Sequence, residues 1–462
     1  MRVLLVVYDN DSYTHLFPMG LGYIASVLGE HGHDVEVYSQ DKYHYPDAHL
    51  TQYLNDHQFD IAMVSVIAGY YQYNKLLKIS DAINESKNRP TYIIGGYGPT
   101  PEPEYFIKKT GADIVAMGEG EYTTVVLMKA LEEKTPLSEV SGIAFKEGSK
   151  VTINQRSPLI KDLDTISWPA YKKFPIDYYR LEREPRMEKT DFGMPLMSAR
   201  GCTFKCTFCY RMDTGYRARD PIDLLDEVEY LHKEFGINYV SFQDDLLMSS
   251  VEHTENVCRE FKKRKLPVKW NCNGRLNYCS VELVRMMKDA GCVFINYGIE
   301  AMDDQVLKNM KKGLRTDMVI KGIEMTLEAG ISPGLNMMFG NIGDNKRTLK
   351  DAVDFLLKYD DFAQMRTIRP VTPYPGSPLY YDAIDKGLIK DVADFYENKH
   401  VNSDLLAANF TELSDEEFYE SLTEANTTLL TNYYDMAKQE AVQQVTDLYK
   451  DRQVGFRGFR QI

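Results

Sequence analysis

The sequence predicts an α/β protein: an N-terminal doubly wound Rossmann-like domain, then a partial, TIM-like (βα)6 barrel, then a mostly helical C-terminal region. Three observations carry this. Short apolar strands alternate with amphipathic helices from Met1 to about Glu133. A second series of about six strand-helix units begins near residue 191. Between them, at the head of the second series, three cysteines fall within eight residues as Cys202-x3-Cys206-x2-Cys209. Strands alternating with helices at this spacing imply parallel sheets covered by helices.

In order, the first unit has strands at Val3-Leu4-Leu5-Val6-Val7, Asp34 to Val37, Asp60 to Ser65, Thr91 to Gly96 and Ala112 to Ala116. Helices are expected over Gly20 to Glu30, Leu76 to Asn84 and Thr123 to Leu131. Ligands of such sheets sit beyond the carboxyl ends of the strands. Those ends carry Tyr8 to Gly20, Ser65 to Gly69, Gly95-Gly96-Tyr97-Gly98 and Gly118-Glu119-Gly120-Glu121. No Gly-x-Gly-x-x-Gly opens the first helix, which argues against a dinucleotide site. From 136 to 190 the pattern breaks, with two short strands about a Gly turn in Val140 to Ile153 and a Pro-containing linker near Trp168-Pro169. We place boundaries at 1–135, 136–190, 191–380 and 381–462.

The barrel strands are expected at Met194 to Met197, Tyr239 to Phe242, Val268 to Cys272, Val293 to Tyr297, Gly334 to Gly340 and Gln364 to Arg369, each but the last leading into a helix. The reactive face of such a barrel is its C-terminal rim, where Gln243-Asp244-Asp245, Asn273-Gly274-Arg275 and Gly298-Ile299-Glu300 fall. Beyond Tyr380 the chain turns acidic and helical, with separate helices expected at Glu416 to Tyr434 and Asp435 to Lys450, then a basic, aromatic tail from Arg452 to Arg460.

The formal charge of -14 argues against a general nucleic-acid binder. Met1-Arg2 opens directly into an apolar strand, so no signal peptide is expected. No apolar run approaches the roughly 20 residues that span a bilayer. Seven cysteines, three of them in one loop, fit a reducing cytosol better than a disulfide framework.

Three thiolates on one tight loop suit three corners of an iron–sulfur cube. Structural zinc wants four ligands, commonly as two Cys-x2-Cys halves, and no second half follows. Phe208 stands immediately before Cys209, so the loop is Cys-x3-Cys-x-aromatic-Cys. It resembles the signature of the radical S-adenosylmethionine (SAM) enzymes. The resemblance implies a [4Fe–4S] cluster on Cys202, Cys206 and Cys209, with SAM on the open iron, cleaved to a 5′-deoxyadenosyl radical. Phe17-Pro18-Met19-Gly20-Leu21-Gly22, Ile93-Ile94-Gly95-Gly96 and Gly118-Glu119-Gly120-Glu121 together resemble the cobalamin-binding domain fused to many of these enzymes. Arg217 to Pro221, Asn309-Met310-Lys311-Lys312-Gly313 and Pro373-Tyr374-Pro375-Gly376 are similar to further motifs of that subgroup.

By resemblance, SAM contacts Phe208, Gln243, Asp244, Asp245, Arg275, Glu300 and Asn336, with Gln243 to Asp245 near its methionine end and Glu300 near the ribose. Cobalamin contacts Thr14, Met19, Ser65, Val66, Gly95, Gly96, Tyr97, Gly98, Glu119 and Gly120. The Asp-x-His-x-x-Gly motif that supplies a lower cobalt ligand in the wider cobalamin family is absent. His15 is read as a polar loop residue, and the resemblance implies base-off, His-off cobalamin. Gly340-Asn341-Ile342-Gly343-Asp344 replaces a family-like Gly-x-Pro-Gly. Cys258, Cys272, Cys279 and Cys292 are expected to be buried as small apolar residues. Cys272, on a barrel strand, is the one that can instead face a substrate.

The activity implied is methylation of an unactivated carbon of a small metabolite or peptide, with a low-potential donor such as flavodoxin or ferredoxin. The alternatives are a cyclisation, oxidation or ring rearrangement without methyl transfer, and a non-catalytic cobalamin-responsive sensor.

Overall fold

The computed structural model describes residues 1–11, 15–67, 69–452 and 454, with the side chain of Tyr70 left out. Thr14 and the 455–460 part of the basic tail lie outside the described residues.

Seven strands form the first sheet: β1 Arg2–Val7, β2 Asp34–Ser39, β3 Ile61–Ser65, β4 Thr91–Gly95, β5 Ile114–Ala116, β6 Ile143–Glu147 and β7 Lys150–Ile153. Their order is β2-β1-β3-β4-β5-β6-β7, with the first five parallel and the last two antiparallel. β1 shows why its run is apolar throughout. Val3, Leu5 and Val7 enter one core while Leu4, Val6 and Tyr8 enter the other, as the period of two dictates for a strand covered on both faces. The strand order reverses between β1 and β3, where such sheets leave a crevice.

The 136–190 segment differs from the expected linker. Its hairpin, β6 and β7, extends the first sheet through the pairing of β5 with β6. Further on, Tyr171 and Phe174 pack against Phe17, with ring centroids 5.2 and 5.1 Å apart, and Tyr179 is fully buried. These aromatics join the first sheet and the barrel in one continuous hydrophobic cluster.

The second sheet contains β8 Gly193–Leu196, β9 Tyr239–Phe242, β10 Lys269–Gly274, β11 Cys292–Glu300, β12 Ser332–Phe339 and β13 Arg369–Pro370. All pair in parallel, in the order β13-β12-β11-β10-β9-β8, a partial barrel. Its faces are chemically opposite. On one, side-chain hydrogen bonds run Gln243 to Ser241 to Asn271, and separately Asn336 to Asn296 to Asn273. On the other, Val240, Phe242, Trp270 and Cys272 pack with Val257, Cys258 and Phe261 of the helix Val251–Arg264. Cys272 therefore does not face a substrate: it is buried, its thiol is close to Cys292, and burial pushes its pKa far up.

Two C-terminal expectations change. The two helices are one, Asp415–Lys450, of 36 residues. A Ser414/Glu417 capping box starts it, and no Gly or Pro interrupts it. Its first half packs through Phe418, stacked on Phe339 at 4.7 Å, and through Asn426, whose amide exchanges two hydrogen bonds with the backbone of Ile368. The expected sixth strand shrinks to the two residues of β13, because Gln364 to Ile368 run as a loop over the open barrel edge. In the Gly340 to Asp344 loop, buried Asp344 accepts from the amides of Gly340 and Asn341 and from Thr348 Oγ1. Among the described residues no helix is long and apolar enough to cross a membrane.

Candidate functional site

The cysteine loop leaves the carboxyl end of β8 and is held at both edges. Ser198 donates its amide to Asp244 Oδ1 at 2.5 Å and its hydroxyl to Asp244 Oδ2. Ala199 and Arg200 pair antiparallel with Ala218 and Arg217, and Cys202 bridges Thr214. Gly201 takes φ +81°, and a Cβ there would lie 2.6 Å from the Gly215 carbonyl oxygen, so this position admits only glycine. Farther round, Thr207 donates its amide to Met310 O and accepts from the Leu379 amide.

Cys206 is buried, and Cys202 and Cys209 are half-buried. Burial raises the pKa of Cys202 and pushes Cys209 up to about 12. For Cys202 and Cys209, whose burial opposes the thiolate, a cationic iron centre would stabilise the charge. Arg275 adds to this. Its guanidinium lies 3.3 Å over the Phe204 ring, Nη1 is 3.8 Å from Cys206 Sγ, and buried Nη2 has no hydrogen-bond partner. Among the described residues no three His, Cys, Asp or Glu side chains are placed to hold one metal ion. Three cysteine thiols on one loop are the donor type that iron–sulfur clusters use.

Glu300 ends β11 with φ +75°, after a register shift between Gly298 and Glu300. A bulge of this kind re-aims a side chain. Here it sends Oε1 to Lys312 Nζ at 2.8 Å, and that ammonium stands 5.4 Å from the Phe208 ring centroid. Lys312 lies inside a motif visible in the sequence, but its partnership with a residue twelve positions earlier is a product of the fold.

The other expected SAM contacts divide. Asn336, Glu300 and Phe208 line one cavity of about 760 Å³ with Cys209 and Tyr210, Ile67 and Tyr97 from the first domain, and Met338, Arg369 and Tyr374 from the barrel. Gln243 and Asp245 are exposed beside the cysteine loop, outside that lining. Asp245 accepts from the Gly201 amide, and protein crowding raises its pKa. Asp244 differs from its neighbours: its carboxylate is buried and engaged by Ser198, so it holds the loop.

Burial raises the Asp244 pKa from 3.8 to about 7. The native state therefore keeps this proton after the unfolded chain has lost it, and stability falls as pH rises from about 4 to about 7. The isosteric Asp244→Asn change is expected to remove this slope of about 1 kcal/mol per pH unit. Chemical unfolding at pH 5 and pH 8 measures it.

On the first sheet, Ser65, Val66, Gly95, Gly96, Tyr97 and Gly98 come together at the ends of β3 and β4, with half-buried Met19 opening the helix Met19–Glu30. Gly96 has φ +100°, and a Cβ would stand 2.5 Å from Val66 O. Around Gly20 and Gly118 the space is open, with nothing nearer a built Cβ than 3.8 Å. This glycine-lined rim suits a broad flat group. Gly96→Ala is expected to cost about 1–3 kcal/mol, through a strained backbone and a clash with Val66, and thermal melts of the cofactor-free protein check it.

Two residues expected on the rim, Glu119 and Gly120, make close contacts within the protein. Glu119 is buried and accepts from Arg200, Arg217 and the Ile160 amide. Gly120 lets Ile24 pack close, at 2.9 Å from a built Cβ. His15 hydrogen-bonds through Nδ1 to Leu16 O at 3.2 Å.

The B12 binding domain family matches residues 5–128 and the radical SAM superfamily matches residues 196–356. Together they cover more than half of the chain. The chain belongs to the cobalamin-dependent radical SAM enzymes. An uncharacterized methyltransferase of Pyrococcus horikoshii is 27% identical over 401 residues, 84% of each chain. The cytidylyl-2-hydroxyethylphosphonate methyltransferase of Streptomyces wedmorensis is 26% identical over 84% of this chain and 82% of its own. Among solved structures, the radical SAM methyltransferase TsrM of Kitasatospora setae, with cobalamin and a [4Fe–4S] cluster bound, superposes with a TM-score of 0.73 at 16% identity, covering 93% of this chain and 88% of that one. TsrM shares the fold of this chain. The family's cofactors are a [4Fe–4S] cluster, SAM and cobalamin.

Proposed function

We propose that the chain is a cobalamin-dependent radical SAM methyltransferase acting on an unactivated carbon of a small metabolite or peptide. The observation that carries this is the shared cavity. Cys209 and Phe208 of the cysteine loop and Tyr97 and Ile67 of the cobalamin rim line the same space. A volume near 760 Å³ suits a small ligand. The two relatives named as methyltransferases support the same reading.

Cys202, Cys206 and Cys209 would hold the cluster. Gln243, Asp245, Arg275, Glu300, Asn336 and Phe208 would hold SAM, and Met19, Ser65, Val66, Gly95, Gly96, Tyr97 and Gly98 would hold cobalamin, with no protein ligand required below cobalt. When bound, the cluster with SAM supplies one-electron bond cleavage, and cobalamin supplies methyl carriage. The chain's own residues do the rest. Arg275 sets positive charge beside Cys206 and keeps Nη2 for a further acceptor. Asn273, Asn296 and Asn336 fix one another's amides, so Asn336 meets a ligand already oriented. Met338, Met365 and Tyr374 give the cavity an apolar side, alongside the polar groups of Glu300, Asn336, Arg366 and Arg369 in the same lining. A flavodoxin- or ferredoxin-class reductant would feed the cluster.

The test needs no substrate. Protein loaded anaerobically with iron, sulfide and cobalamin receives SAM bearing a deuterated methyl group, with a low-potential reductant. Methyl transfer predicts S-adenosylhomocysteine and label on the bound cobalamin. Formation of 5′-deoxyadenosine alone would favour a cyclase-type outcome.

A further inference from the structure

The Gly118-Glu119-Gly120-Glu121 turn lies on the cobalamin rim, yet its carboxylates point across to the cysteine loop. Arg200, two residues before Cys202, donates Nη1 to Glu119 Oε1 at 2.8 Å and Nη2 to Glu121 Oε1 at 2.5 Å. Arg217, paired with Arg200 across the hairpin, donates Nη1 to both oxygens of Glu119 at 2.9 and 3.0 Å, and its Nη2 lies 3.3 Å from Asp213 Oδ2. Ile160 closes the ring from the 136–190 segment, its amide donating to Glu119 Oε2 at 2.7 Å. All five charged side chains are at most 14% exposed.

Acids in the first turn of a helix ordinarily serve the helix itself. Buried bidentate pairs to another domain do something more directional, because planar guanidinium forks tolerate little sliding. The two arginines also flank both strands of the hairpin that carries Cys202, which itself bridges Thr214. One ion cluster thus ties the carboxyl end of β5 to the base of the cysteine loop.

We propose that Glu119 and Glu121 are positioning residues: through Arg200 and Arg217 they fix the spacing between the cobalamin rim and the iron–sulfur loop. The inference rests on the cofactor assignment but not on methyl transfer.

The variants are Glu121→Gln, the Glu119→Gln/Glu121→Gln pair, Arg200→Met and Arg200→Lys, each read in two ways. In full-length cofactor-free protein, amide hydrogen exchange is expected to quicken about 10-fold or more at residues 199–202 and 213–218 in Arg200→Met and in the double variant, with barrel helices unchanged. In loaded protein, the relaxation enhancement of the cob(II)alamin EPR signal by the reduced cluster is expected to fall at least about 2-fold, since dipolar coupling drops with distance. Arg200→Lys should restore part of it. Should Arg200→Met fail to fold, the isosteric Glu121→Gln carries both readouts. Unchanged loop exchange and unchanged spin relaxation in folded variants would overturn the proposal, even if the melting temperature fell. Failure to load cofactor would count against the cofactor assignment, while the exchange readout would still decide whether the ion cluster holds the loop.

Discussion

Cys206→Ala is expected to remove the iron–sulfur chromophore and to lower reductive SAM cleavage by at least about 10³-fold. Loss of an outer-shell partner of a metal site typically costs 10–100-fold, and a lost corner ligand costs more. Cys206 is the most buried of the three and the one beside Arg275 Nη1. Iron and sulfide analysis of anaerobically loaded protein, followed by quantitation of 5′-deoxyadenosine, measures both effects. Circular dichroism should stay near wild type, because the loop is anchored by Ser198, Arg200, Thr207 and the 217–218 pairing rather than by the thiol.

Arg219→Met is expected to be the most destabilising single change outside the cofactor sites, by about 3–5 kcal/mol. Arg219 is bound to Glu227 Oε2 and Asp223 Oδ2, each at 2.5 Å, and to Met197 O at 3.1 Å. Glu227 keeps only the Tyr171 hydroxyl, at 2.6 Å, when the guanidinium is gone. Its carboxylate is fully enclosed, and burial already raises its pKa against the pull of Arg219. Removing the cation raises it further. A carboxyl whose folded pKa lies above the unfolded value favours the native state at low pH and loses that contribution as pH rises. The deficit of Arg219→Met should therefore be largest near pH 8 and shrink toward pH 5. Urea unfolding at the two pH values tests this, and a pH-independent deficit would count against the buried-charge explanation.

Much of the fold is legible in the chain because the central strands of both sheets are buried. Runs such as Val3 to Val7 and Tyr239 to Phe242 have no solvent-facing alternative. Elements set by neighbours are not legible. β13 is two residues long, and the residue before it, Ile368, gives its backbone N–H and C=O to the Asn426 side chain. The hairpin 143–153 finds its place only once β5 offers an edge. The 36-residue helix was readable in principle, since nothing in the stretch stops it.

At the site, the cysteine spacing carries its chemistry locally, whereas acidic residues do not announce which way they point. Asp244 and Asp245 are adjacent, yet one is enclosed by Ser198 while the other opens beside Gly201. Glu119 belongs to a motif on the cobalamin rim but is satisfied by arginines about 80 to 100 residues later. Such pairings depend on packing between units, and a single sequence holds no record of them.

The central claim is that Cys202, Cys206 and Cys209 hold a four-iron cluster with one iron left for SAM. Mössbauer spectroscopy of ⁵⁷Fe-loaded protein, recorded with and without SAM, tests it most directly. The account predicts about four irons per chain and one iron subsite whose parameters change when SAM is added. Four subsites that all ignore SAM in a fully loaded protein, or the same spectrum after all three cysteines are replaced by alanine, would contradict it.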